Sequence, residues 1–351
     1  MSDRSYEKLA RAMDALPNGF PRTEEGWEIA ILKRIASPEE ADLASGLSVE
    51  WEQAEVIAER SGLPFRGVRR MLMRMARKGL VWIDRGEKGF TYRLAAFVVG
   101  LYEAQVESMD AELAHLFEHY LAAGGAAGIM KPQPALQRVV PARGAVKSEW
   151  ILPYDDVRAI LLAAKHYRVQ DCICRKQQDL VGARKCDFPL EVCVSFTTDE
   201  RDPRPDDIPR ERALAILDEC EEVGLVHSVS NVQRGVFYVC NCCGCCCGIL
   251  RGITEWGIQE SVARANYTAV IDSDACVGCG TCRERCQVGA IEEEDGTMRV
   301  AVERCIGCGV CVTGCPNDAV ELERREDARI VPPPEDFAAW ERLRLENRGL
   351  A

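Results

Sequence analysis

The chain has 351 residues, 47% of them hydrophobic and 28% charged, the make-up of a globular protein with room for two or three domains. Its net charge of −12 weighs against nucleic-acid binding by the whole surface, and no apolar run approaches the roughly 18 residues of a membrane span. Residues 1–7 lack the apolar core of a secretion signal, so a cytoplasmic location without membrane insertion is expected.

Residues 24–98 read as three helices and a hairpin. Trp27, Ile31 and Ile35 mark the first helix, residues 50–60 the second, and Pro64 opens a third carrying Val68, Leu72 and Met75 at helical spacing. Residues 80–83 and 90–94 read as strands around a turn at 84–89. This order is similar to the winged-helix version of helix-turn-helix domains. The third helix bears Arg66, Arg69, Arg70, Arg74, Arg77 and Lys78. Such a face suits DNA, where arginines reach phosphates and base edges. It equally suits an acidic protein partner or plain solvation, and the acidic chain favours these over DNA. Residues 96–123 read as a further helix, with His115 and His119 on one face as packing or surface residues. A glycine-rich break at 124–128 and Pro132, Pro134 and Pro141 then mark an irregular linker to about residue 145.

The cysteines draw the sharpest boundary. There are 19, all from Cys172 to Cys315, and none in the first 171 residues. In a small secreted protein that density suggests disulfides; in this chain it points to metal binding. The middle region opens with a helix over 154–167. Cys172, Cys174, Cys186 and Cys193 follow, expected to serve one site. A helix over 209–223 stops at Gly224, and strands at 225–227 and 236–239 lead into a run holding Cys240, Cys242, Cys243, Cys245, Cys246 and Cys247. Adjacent cysteines diverge, so this run supplies a second site or completes the first. Cys220 lies on an apolar helix face and reads as a buried hydrophobe. Ten thiols fit two four-thiolate clusters, one cluster with a zinc site, or one larger cluster. Arg175 could offset thiolate charge, and His227 reads as structural. The region looks like those of uncharacterised multi-cluster iron–sulfur proteins of anaerobic bacteria. Cys242-Cys243-Gly244 is also similar to the cysteine-rich repeats of heterodisulfide reductase subunits, without that family's long-range spacing.

The last third holds a duplication. Cys276-x2-Cys279-x2-Cys282-x3-Cys286 recurs 29 residues on as Cys305-x2-Cys308-x2-Cys311-x3-Cys315, followed by Pro316 where the first copy has Gln287. Zinc sites use separated Cys-x2-Cys pairs rather than such triplets. The segment, about 266–325, resembles bacterial two-cluster [4Fe-4S] ferredoxins. The resemblance implies a ferredoxin-like fold, low-potential one-electron transfer, and a fourth ligand exchanged between the runs. One cluster would take Cys276, Cys279, Cys282 and Cys315, and the other Cys305, Cys308, Cys311 and Cys286. Short strands at 269–271, 290–291, 300–302 and 319–320 flank the runs, with a turn at 294–296. Pro332, Pro333 and Pro334 introduce a short terminal helix.

The expected fold class is therefore α+β and multidomain. A winged-helix-like domain with linker takes 1–145, a cysteine-rich domain 146–255, a ferredoxin domain 256–328, and a tail helix 329–351. The expected function is electron transfer, with two [4Fe-4S] clusters, one or two more in the middle, and zinc as an alternative there. The partner would be a redox enzyme or electron carrier. A redox-responsive DNA-binding regulator and a catalytic iron–sulfur reductase subunit are the other two classes. No nucleotide-binding fingerprint, phosphate loop or nucleophile elbow appears in the sequence.

Overall fold

The structure, a computed structural model, describes residues 2–86, 89–147, 151–326 and 330–351. It is mixed α and β, with two compact units. The first is Met1–Pro132 with Gln177–Ala183 and Arg344–Ala351; the second is Gln133–Lys176 with Arg184–Leu343. The middle and C-terminal cysteines thus share the second unit. Among the described residues no helix is long and apolar enough to cross a membrane.

The first unit opens with helices α1 (Ser2–Asp14), α2 (Trp27–Ile35) and α3 (Pro38–Ser45). Helix α3, absent from the sequence reading, starts at a capping box in which Ser37 and Glu40 satisfy each other's backbone N–H groups. Strand β1 (Glu52–Gln53) then precedes α4 (Ala54–Ser61), so the second expected helix begins at 54 rather than 50. The cause is local. Glu52 accepts the Ser48 N–H and both Arg60 terminal nitrogens, and Glu52 and Gln53 pair as extended chain with Tyr92 and Thr91. Helix α5 (Phe65–Arg77), β2 (Val81–Gly86) and β3 (Gly89–Leu94) complete a small sheet of order β1-β3-β2. Glu87 and Lys88, expected in the turn, lie outside the described residues.

Helix α5 buries Val68, Leu72 and Met75 and exposes Arg66, Arg69, Arg70, Arg74 and Arg77. Arg74 and Lys78 both pair with the buried Glu40, so Arg74 is partly committed to holding α5 on α3.

The single helix expected over 96–123 is broken. Val98 and Val99 are extended, two β-branched residues that resist helix, and Asp110 caps a fresh helix α6 (Ala111–Tyr120) by accepting the Leu113 N–H. Phe20, Phe97, Tyr102, Phe117 and Tyr120 form the aromatic core. His119 stacks on Trp27, and His115 on His119, both as exposed surface residues. Helix α7 (Ala126–Met130) ends this stretch.

The second unit is built on an antiparallel five-stranded sheet. In chain order its parts are β4 (Gln137–Val140), α8 (Val157–Leu162), β5 (His166–Asp171), α9 (Ile173–Leu180), β6 (Glu191–Thr197), α10 (Arg210–Val223), β7 (Val226–Ser230), β8 (Tyr238–Cys242) and α11 (Gly248–Thr254). The strand order is β4-β7-β8-β6-β5. Strand β4 lies in what the prolines suggested was irregular linker; it pairs with β7 at the sheet edge. The helix expected over 154–167 stops at Leu162 and gives way to β5. Val157, Leu161, Val192, Val194, Ala213, Leu217 and Val239 form the core between helices and sheet, and Cys220 is buried there as expected. In that apolar setting burial raises its thiol pKa to about 12.

The duplicated segment follows as β9 (Tyr267–Ile271), α12 (Thr281–Arg285), β10 (Ile291–Glu294), β11 (Thr297–Val300) and β12 (Val320–Arg324). Strands β9 and β12 pair, as do β10 and β11, so the two ends of the segment meet. The β10–β11 turn at Asp295 and Gly296 takes left-handed backbone at both residues. Helix α13 (Phe337–Asn347) closes the chain.

Candidate metal centres

In the duplicated segment the loop between the first two cysteines of each run turns at glycine. Gly278 and Gly307, 29 residues apart, have φ of 68° and 72°. A Cβ would stand 2.2 Å from the Gly296 carbonyl oxygen at the first and 2.3 Å from that of Tyr267 at the second. Only glycine lets these loops curl so closely against those backbone carbonyls.

Cys286, the last cysteine of the first run, lines one cavity with Cys305, Cys308 and Cys311 of the second. Its remaining walls include Ala269, Ile291, Ile306 and Val310. Burial pushes the Cys308 thiol well up and Cys311 to about 12. The Cys286 thiol also rises, through burial, although backbone N–H groups act against it; that of Ala290 lies 3.1 Å from its sulfur. In the other set, burial raises Cys282, with Cys276 and Cys315 near enough to add to the effect. Cys279 is exposed. Buried thiols raised in this way form thiolates only with a positive partner, which a metal supplies. The donor sets thus fit soft, iron-containing groups.

Ten further cysteines gather around β6, β8 and the start of α9, and they fall into two groups. Cys186 joins Cys243, Cys245 and Cys246; all four sulfurs lie within 4.8 Å of one another. The other six form a row. Cys193 on β6 touches Cys240 on β8, where Val194 pairs with Val239 one residue in. Cys240 touches Cys242 two residues on, on the same face of the strand. Cys242 reaches Cys247, Cys247 reaches Cys174, and Cys174 reaches Cys172. Hydrogen bonds from Cys240 and Cys247 bring the Cys242 thiol down to about 6. So Cys186, expected beside Cys172, Cys174 and Cys193, groups with the 243–246 loop instead.

Arg175 is fully buried among these sulfurs. It donates to the carbonyls of Pro189 and Asn241 and hydrogen-bonds Cys243, while its Nε has no partner among the described residues. Burial alone would lower its pKa, but the thiols of Cys172 and Cys243 hold it above the ordinary value. His227 is buried between Asn241, 2.5 Å from Nδ1, and Glu221, 3.2 Å from Nε2. That is a packing role against α10, with no sulfur among these contacts.

Gln287 stands where the second run has proline. Its side-chain oxygen accepts the Gly244 N–H at 2.9 Å, and its amide nitrogen donates to the Gly224 carbonyl at 3.0 Å. It therefore ties the residue after Cys286 to the loop carrying Cys243, Cys245 and Cys246. The sequence displays the departure at 287 without the contact that explains it.

A duplicated pair of cysteine loops, closed by two antiparallel strand pairs and backed by buried thiols, is the architecture of an iron–sulfur-binding segment. Residues 269–322 match the family model described as a 4Fe-4S dicluster domain. That domain carries the capacity for iron–sulfur electron transfer. No curated protein and no solved structure matches the chain.

Proposed function

We propose that this chain is an electron-transfer protein. It would carry two [4Fe-4S] clusters in the duplicated segment and a further iron–sulfur centre on the six-cysteine row. Cys286 in the cavity of Cys305, Cys308 and Cys311 is the observation that carries the reading, because it supports exchange of the fourth ligand between the runs. The ligand sets are then Cys276, Cys279, Cys282 and Cys315, and Cys305, Cys308, Cys311 and Cys286. Bound there, the clusters supply one-electron chemistry. The chain's own part is to bury one set, to expose the other at Cys279, and to hold the middle cysteines against the first through Gln287. A partner redox enzyme or electron carrier would meet the exposed Cys279 loop. Anaerobically prepared full-length protein should contain more than about eight irons per chain with matching labile sulfide. A value of about eight or below would remove the middle centre from the proposal.

A second reading, a redox-responsive DNA-binding regulator, draws on α4, α5 and the β1-β3-β2 sheet, an order similar to winged-helix domains. The exposed Arg66, Arg69, Arg70 and Arg77 support it. The net charge of −12 opposes it. We expect no sequence-specific DNA affinity, with this face meeting an acidic protein surface. Selection of bound genomic fragments by oxidised and reduced protein checks this. A reproducible motif, abolished by Arg69→Ala with Arg70→Ala, would put the regulator first.

A further inference from the structure

The two groups of middle cysteines differ in shape as well as in number. In the group of four, Cys186 lies 3.8 Å from Cys243 and from Cys246, and Cys245 lies 3.8 Å from Cys243 and 3.5 Å from Cys246. Four thiolates about 2.3 Å from one central ion stand about 3.8 Å apart along each tetrahedral edge. A four-iron cube cannot use so tight a set, because each thiolate must reach a different corner. The duplicated segment gives the contrast within the same molecule. Among the described residues, Cys186, Cys243, Cys245 and Cys246 are the one set of three or more metal-binding side chains drawn within 4.8 Å, and neither quartet of the duplicated segment is.

We propose that Cys186, Cys243, Cys245 and Cys246 hold a single thiolate-preferring metal ion, zinc or sulfide-free iron, as a centre separate from the six-cysteine row. This goes beyond the electron-transfer reading, which depends on the other cysteines. Four thiolates on a divalent ion leave two negative charges in a largely buried place. The Arg175 guanidinium, buried and hydrogen-bonded to Cys243, offsets part of that charge. Arg184 braces the other side, donating to the carbonyls of Cys186 and Phe188. With four protein ligands the ion has no open position for a substrate, and it would brace the loops that carry those ligands. It fastens the loop at 184–188 to the 243–246 loop, whose Gly244 in turn meets Gln287. The ion would fix the cysteine run at the distance where that hydrogen bond forms.

The test is metal and labile-sulfide analysis of the full chain prepared anaerobically. The wild type should hold about one zinc, or about one iron in excess of sulfide, and Cys186→Ser should lose that ion with sulfide unchanged. Zinc and excess iron both support the site, and the analysis itself tells them apart. Cys193→Ser, in the six-cysteine row, should instead lower iron and sulfide together and keep the ion. Should Cys186→Ser fold poorly, wild-type protein grown with cobalt should show the visible bands of a tetrahedral cobalt thiolate. The proposal is overturned if Cys186→Ser loses iron and sulfide in equal amounts, if it loses no metal, or if the cobalt-grown wild type lacks those bands.

Discussion

Cys286→Ala is expected to strip iron from the second cysteine run while sparing the run to which Cys286 belongs. Cys286 lines the cavity of Cys305, Cys308 and Cys311, and the Ala290 N–H fixes its sulfur there at 3.1 Å. The reverse experiment is Cys315→Ala, which should empty the set of Cys276, Cys279 and Cys282, since Cys282 has Cys315 as a neighbour. Each variant should lose about four irons and about four sulfides. Paramagnetic resonance of the reduced variants distinguishes the two losses, because one set is exposed at Cys279 and the other is enclosed. Loss from the Cys276, Cys279 and Cys282 set in Cys286→Ala would refute the exchange of ligands.

Gly244→Ala should be among the most damaging single-methyl additions in the second unit. A Cβ at 244 would fall 1.8 Å from the Gln287 carbonyl oxygen and 2.9 Å from its carbon. Those are backbone atoms, so no side chain can swing aside. The cysteine loop and the residue after Cys286 must part, which also breaks the Gly244 N–H bond to the Gln287 side chain. Overpacking of this kind costs about 3 kcal/mol at the upper end of its usual range. Lowered thermal stability together with loss of metal from the middle cysteines is the expected result. A variant with wild-type melting and metal content would show that the two segments do not touch.

The duplicated segment was legible because its information is local. Each triplet is contiguous in sequence, the copies share one spacing, and Asp295-Gly296 marks the turn between them. The grouping of the middle cysteines was not, because it depends on which strands adjoin. Cys193 meets Cys240 only because β6 lies beside β8, and Cys186 reaches the 243–246 loop across a long separation in sequence. One clue was present. Val192, Val194 and Phe196 alternate as a half-buried strand should, and burial confirms that pattern in β6. Reading Cys193 solely as a ligand hid the strand that carries it. Strand β4 was masked by its flanking prolines and β1 by its shortness. The break before α6 did carry a signal, an Asp110 cap three residues ahead of Leu113.

The two halves of the duplication face different surroundings. Val277 is 68% exposed beside the exposed Cys279, while their counterparts 29 residues on are the 1% exposed Ile306 and the half-buried Cys308. Dissolved oxygen therefore meets the first loop directly, whereas the second is screened by Ile291, Ile306 and Val310. On the ligand sets proposed above, protein handled in air loses its metal in a set order, the outer set first. Material purified aerobically would then keep its inner iron and lack the metal of the outer set, at the Cys279 loop where the partner is proposed to dock.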